Sequence, residues 1–424
     1  MKIKNFYHSF ANLYKIWFFC TALFGYGIIA SLVTDASNSR LLTLPYRVII
    51  LGNSILFCIF LILKNLSVTQ HDRSPRKNLR TTQELLIFIL FIFLASLSFR
   101  LIYDVGYNNV LTKEPSEYLL NWFGICLIPA TTFLFLDFKK SQKYLYLSWV
   151  FLAVASSLVI PGVLQGQVSR VFIEQGRLAG EALNPISLGH QGGSLLLISL
   201  YILLNKKYFK NKRDTILYIL FLILGLGLLI FAASRGPIIA ITLCVILLLI
   251  SVQKKGVNIL KVFSIMIIVM IFANISLSLA LDSGSNIVER FSSIANDFDS
   301  SRFVQRPELY RTAIELIAEY PIFGYALEIP VLGYPHNLIL EAFLATGLLG
   351  GFLFLLLYVY AGIKALRIIM DENNSWGWLG LIYIQYAIAA MLSGALYSSY
   401  TFWYLFFAII GLKKLNTAYL ESKV

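Results

Sequence analysis

Arg306-Pro307, Tyr310, Pro321, Gly324 and Pro335-His336-Asn337 lie close together, and a membrane span needs none of them. A cation, two prolines fit to start helices and a histidine suit the holding of a phosphorylated substrate while a hydroxyl loses its proton. Pro307 suits the first position of a helix, and Glu308 is favourable in its first turn. Tyr310, Ala313, Ile314 and Ile317 then recur at helical spacing as one apolar face. Arg306, four residues before Tyr310, falls on that face. Arg311 has Glu308 and Glu315 at ion-pairing distance along the helix. The helix is expected to stop at Tyr320-Pro321, with Gly324 in a sharp turn. Arg302 is a further cation on the same segment.

Two other places share this chemistry. Ser234-Arg235-Gly236-Pro237 puts an arginine where a helix begins, which the positive end of the dipole disfavours unless an anion compensates. Arg177 precedes Asn184-Pro185, which opens another apolar run; His190 inside that run is expected to be buried and satisfied. His336 follows Pro335 at a helix start, where the dipole and nearby arginines favour a neutral ring able to act as general base. Asn337 can cap that helix or bind sugar hydroxyls, and Glu341, one turn on, can orient the ring.

The rest of the chain must position these groups. Of 424 residues, 58% are hydrophobic and 13% charged, against about 25% charged in a soluble domain. The whole chain, 1–424, is expected to be one polytopic membrane domain. Twelve apolar runs are long enough to span: roughly 12–34, 45–65, 83–102, 117–138, 144–166, 185–204, 215–233, 236–253, 258–282, 336–363, 376–397 and 399–415. The first run is expected to be a retained span and not a removable signal peptide. Alternate loops and both termini hold 24 of the 35 basic residues, which places them in the cytoplasm. The net charge of +13 is therefore topological, and nucleic acid is not an expected partner. Ten of the eleven remaining basic residues, Arg100, Arg170, Arg177, Arg235 and Arg290 among them, are arginine, whereas 19 of the 24 cytoplasmic ones are lysine. That bias suits anion contact on the outer face. Two outer loops exceed turn length, 167–184 and 283–335, the second carrying the helix described above. Cys20, Cys58, Cys126 and Cys244 sit in apolar runs and are expected to pack as free thiols. Asp297 and Asp299, flanked by serines, are expected in a solvated loop. No phosphate-cradling loop, dinucleotide fingerprint or metal-ligand spacing is present, so neither cofactor nor metal is expected.

Arg306-x3-Tyr310, Pro321-x2-Gly324, Pro335-His336-Asn337 and the glycines Gly347, Gly350 and Gly351, in that order, resemble the O-antigen ligase/O-antigen polymerase (Wzy-type) superfamily, and Ser234-Arg235-Gly236 resembles its upstream arginine motif. The likeness covers about 165–355. Tyr325-Ala326 departs from it where a second glycine is common. The resemblance implies an all-α integral membrane enzyme of GT-C-like type: about 12 spans, cytoplasmic termini and a long periplasmic loop between spans nine and ten. It implies a metal-independent inverting glycosyltransferase of the bacterial inner membrane, acting on undecaprenyl-pyrophosphate-linked oligosaccharide at the periplasmic face. Carried across, Arg235 and Arg306 bind the donor pyrophosphate and His336 activates the acceptor hydroxyl. Arg177, Asn337, Tyr310, Arg311 and Arg302 are expected to bind substrate. Polymerisation of lipid-linked repeats is the first expectation, with a chain-length regulator as a partner. Ligation to lipid A-core is the alternative; transfer to protein, usually coupled to a soluble C-terminal domain, is less favoured. A lipid-linked glycan flippase would instead require inverted repeats and ionisable groups at mid-membrane.

Overall fold

The computed structural model describes residues 13–33, 39–68, 80–107, 111–136, 140–164, 176–205, 212–254, 256–296 and 301–412. Among them ten helices are long and apolar enough to cross a membrane. In chain order these are α1 (Leu13–Ser31), α2 (Ser39–Val68), α3 (Arg80–Tyr107), α4 (Pro115–Phe135), α5 (Ser141–Val163), α6 (Pro185–Leu204), α7 (Lys212–Phe231), α8 (Arg235–Lys254), α9 (Ile259–Asp282) and α12 (Leu338–Met370). Between the last two lie α10 (Ile287–Asn296) and α11 (Ser301–Glu319). The chain is thus a multi-pass helical membrane protein. α13 (Gly377–Ser393) and α14 (Tyr400–Gly411) stand where the apolar runs predict two further full spans, and both are shorter. At 1.5 Å per residue α14 reaches roughly 18 Å, well under a hydrocarbon core of about 30 Å.

α6 forms the centre. Every residue from Leu188 to Leu204 is buried, because α5, α7, α8 and α13 surround it. Its closest neighbour is α7, where a Cβ on Gly192 would stand 2.7 Å from the Gly225 carbonyl oxygen; only small residues permit that approach. Leu56, Phe91, Phe99, Met270 and Leu349 face outward instead, as apolar side chains do when the surrounding medium is lipid. The four cysteines are unpaired thiols, three of them buried.

Contacts sort the helix ends into two sets. At one end Ser251 Oγ donates to Ile369 O (2.6 Å), Lys364 Nζ to Ile410 O (2.9 Å) and Ser141 Oγ to Ser375 O. At the other, Leu178 N–H binds Phe231 O (2.8 Å), Asn286 N–H binds Gly176 O (3.2 Å), Leu327 N–H binds Asp104 (2.8 Å) and Leu396 N–H binds Glu341 (2.6 Å). The motifs singled out from the sequence gather at this second end.

α11 departs from its expected form. It stops at Glu319 as the sequence predicts, but it begins at Ser301, so Pro307 lies inside it and not at its start. Its buried stripe runs through Leu309 and Ala313, flanked by Leu316 and Ile317, against Ile329 and Leu344. Ile314, assigned to the inner face from its spacing, is 57% exposed, and Tyr310 is half-buried. The face is rotated by about one residue because Leu309 and Leu316 supply the packing.

Candidate active site

One corner is built from arginines. Ala233 takes a positive φ of 45° and ends the turn after α7, which puts buried Ser234 and half-buried Arg235 at the head of α8. Arg177 reaches over from the 176–184 segment and donates to Ser234 Oγ at 2.6 Å. Gly176 packs so closely on Gly284 and Asn286 that the segment leading into α10 closes the same corner. Arg290 of α10 stands near enough to act electrostatically on Arg177. Burial, and then the charge of Arg290, hold the Arg177 pKa down to about 10. Arg177 Nε and Ser285 Oγ are buried donors that find no hydrogen-bond partner among the described residues. Two like charges packed together beside unused donors form an arrangement that an anion would stabilise.

The second half of the site is the segment 321–337. Gly324, with φ +74°, is pressed into α12: a Cβ there would lie 2.6 Å from Leu344 O and from the Ala345 carbonyl carbon. Gly347, with φ +69°, breaks α12 at the same level, and a Cβ there would collide with the carbonyl of Ile322. Two backbone bonds lock the pair, Tyr325 N–H to Leu344 O (2.7 Å) and Leu348 N–H to Pro321 O (2.8 Å). Arg100, near the end of α3, binds four carbonyls across the lock: Ala345 (2.9 Å), Tyr325 (3.0 Å), Phe323 (2.6 Å) and Gly324 (2.9 Å). Asp104, one turn later and fully buried, pairs with Arg100 at 3.4 Å and accepts from Leu327 N–H. Arg100 therefore serves as a structural clamp and not as an anion contact, because four carbonyl oxygens take up its fork.

The clamp also fixes the residues beyond the lock. Glu328 is fully buried and accepts from Thr112 N–H (3.0 Å), Thr112 Oγ1 (2.7 Å) and Tyr397 OH (3.3 Å). Tyr334 meets the His336 ring edge-on at 4.3 Å between centroids and Tyr397 at 6.2 Å. Burial first, then Glu341 and Glu328, raise the Tyr334 pKa, so it stays a neutral phenol. His336 itself takes φ +56°, a conformation costing roughly 1–3 kcal/mol outside glycine and held only by surroundings that over-determine it. Asn337 Oδ1 caps α12, accepting from Ile339 and Leu340 N–H at 3.1 Å each. Glu341 does not take the orienting role expected of it: Oε2 accepts from Leu396 N–H, and Oε1 has no hydrogen-bond partner among the described residues.

α13 connects the two halves. Leu392 lies against Gly236 of the arginine corner, and one turn later Leu396 binds Glu341 beside the histidine. The structure thus gathers Arg177, Ser234 and Arg235 in one corner, and His336 with Asn337 in the adjoining one. It leaves Arg311 outside, paired with Glu315 at 2.9 Å on the exposed face of α11. The side chains of Arg40, Arg302 and Arg306 lie outside the described residues, as do residues 167–175 with Arg170, Asp297, Asp299, His8 and His71. His190 is buried as expected but only half satisfied: Gln385 Nε2 approaches its Nδ1 at 3.4 Å, and its Nε2 has no described partner. Sequence pattern did not reveal Glu328, Tyr334, Tyr397 and Asp104, each of which has at least one partner distant in the chain. Arg290 was visible only as one of the arginine-rich outer cations.

Comparison with curated proteins gives no match. Residues 220–355, which carry both Ser234-Arg235-Gly236 and Pro335-His336-Asn337, match the Wzy_C family model described as O-antigen ligase, and that match supports the likeness to the O-antigen ligase/O-antigen polymerase superfamily over this part of the chain.

Proposed function

We propose that this protein transfers a glycan from undecaprenyl pyrophosphate to a sugar hydroxyl on a second lipid-linked glycan, and so polymerises polysaccharide repeats. The observation that carries the reading is the arginine corner, where Arg177 stands by Arg290 and Ser234 with its Nε buried and unused among the described residues. A pyrophosphate supplies the charge and acceptors such a corner lacks. Arg235 joins it from the head of α8, and Arg306 of α11 is assigned to the same anion from the sequence motif. In the step itself the acceptor oxygen attacks the anomeric carbon, whose bond to pyrophosphate breaks and leaves its electron pair on the departing phosphate. The hydroxyl proton passes to His336 and from there to solvent. Charge grows on the pyrophosphate as the bond breaks, so fixed cations stabilise the transition state more than the bound substrate. Attack opposite the leaving group inverts the anomeric centre, and no step calls for a metal.

The alternation of basic loops supports cytoplasmic termini, which puts this end of the bundle on the periplasmic side of the inner membrane. Purified protein in lipid, given lipid-pyrophosphate oligosaccharide alone, should yield a ladder of chain lengths. Product formed only after lipid A-core is added would make the protein a ligase, which the donor corner serves equally well. Bilayer translocation of the glycan without transfer under either condition would refute the enzyme reading.

A further inference from the structure

Beside the His336 half of the site, the first turns of α2 and α4 diverge around a cleft with a volume of about 600 Å3. Thr43 and Arg47 line it from α2, Lys113 and Glu114 from the segment before α4, and Glu117 and Asn121 from α4. It communicates with the histidine through aromatic rings. Lys113 Nζ lies 5.5 Å from the Tyr397 ring centroid, Tyr397 lies 6.2 Å from Tyr334, and Tyr334 lies 4.3 Å from His336. The same wall is pinned to the catalytic segment by the two bonds from Thr112 to Glu328.

The lining decides what fits. Glu114 and Glu117 offset Arg47 and Lys113, so the cleft has no net cationic character and does not draw in a pyrophosphate as the arginine corner does. It offers hydrogen-bond donors and acceptors together: a hydroxyl at Ser116, an amide at Asn121, two carboxylates and two cations. A neutral chain of hydroxyl groups can satisfy such a surface without bringing a charge of its own. We propose that this cleft binds the acceptor oligosaccharide, holding sugars behind the residue whose hydroxyl reaches His336, with the Tyr397–Tyr334 pair as the floor between. The proposal rests on the glycosyltransferase reading for the word acceptor, but not for the binding of a glycan.

The test uses the full-length protein in nanodiscs and the oligosaccharide released by mild acid from the strain's own lipid-pyrophosphate pool. Saturation-transfer NMR should show this glycan bound to the wild type without donor present, and bound far more weakly by Asn121→Trp, which fills the cleft. Lys113→Ala changes only an exposed side chain, so it guards against a folding defect. Both variants should raise the KM for acceptor by about tenfold while the donor KM moves less than about twofold. Unchanged glycan binding and acceptor KM in both variants would overturn the proposal, as would a rise confined to the donor KM. If the wild type binds glycan, the variants lose it and no transfer occurs, the transferase reading fails and the cleft remains a glycan site. Running the same titration with the core oligosaccharide of a lipopolysaccharide separates the two sources of acceptor: the glycan that binds in the cleft names the one used.

Discussion

Arg100 gives the sharpest test of how the site is held. Its guanidinium makes four bonds to the carbonyls of residues 323, 324, 325 and 345 and pairs with fully buried Asp104. Arg100→Ala removes every one of these and leaves a buried carboxylate without its cation. Breaking a buried ion pair from one side costs about 3–5 kcal/mol, much of it the stranded charge. Hydrogen bonds to a charged group are worth about 1.5–3 kcal/mol each, but bonds on a single fork are not additive. A loss of about 4 kcal/mol is therefore expected, enough to free the 321–337 segment from α3. Arg100→Lys keeps the charge beside Asp104 yet offers no planar fork, and it should recover less than half of that. The assay is reversible denaturation in mixed micelles, read alongside limited proteolysis across residues 320–336. Transfer activity should fall in parallel with segment order, while pyrophosphate binding at the arginine corner persists. If Arg100→Ala unfolds at the wild-type denaturant concentration, resists protease equally and loses only donor affinity, then Arg100 binds the anion and the clamp is wrong.

Three further outcomes come from the geometry. His336→Asn keeps a residue type that tolerates positive φ, so the fold should survive while transfer drops by about 10²–10⁴, the usual weight of a general base; retention of wild-type turnover would remove His336 from the chemistry. Arg177 loses its charge as pH rises through about 10, its pKa being lowered by burial and Arg290. A lysine there starts from about 10.4 and meets the same depression, so donor affinity of Arg177→Lys should decline from roughly pH 8 upward while the wild type stays level to about pH 9. Identical pH profiles would refute the shared environment. Gly347→Ala imposes a Cβ on the Ile322 carbonyl and puts alanine at φ 69°, ψ −169°, backbone open essentially to glycine alone and costing about 1–3 kcal/mol, so a melting temperature within error of wild type would mean the break in α12 is not needed.

The spans were legible because hydrophobic burial in lipid is written locally, residue by residue. The run 185–204 matches α6 at both ends, where Asn184 caps and Pro185 starts the helix. The stop at Tyr320-Pro321 and the turn at Ser234-Arg235-Gly236 were equally local, since proline and glycine act on their own backbone. What the pattern hid depends on partners far away in the chain. Arg100 looked like one more outer arginine, and its acceptors lie more than 220 residues on. Glu328 gave no periodic signal because its burial is compensated by Thr112 and Tyr397. The inner face of α11 was misplaced because spacing alone admits either Ile314 or Leu309, and only the surface it meets, Ile329 and Leu344, selects between them.

The break at Gly347 has a mechanical consequence. An unbroken α12 would carry the histidine at the tip of a lever running the depth of the bilayer, so any tilt taken up to match a thicker or thinner membrane would swing it. With Pro321 and Ile322 wedged in at Gly347, the turns from Leu338 to Thr346 are fastened to α3 through Arg100, and the remainder up to Met370 is held separately, by Phe354 on Phe93, Tyr358 on Ala387 and Lys364 on Ile410. The height of the His336 ring is thereby set by a helix crossing elsewhere in the chain as well as by its own.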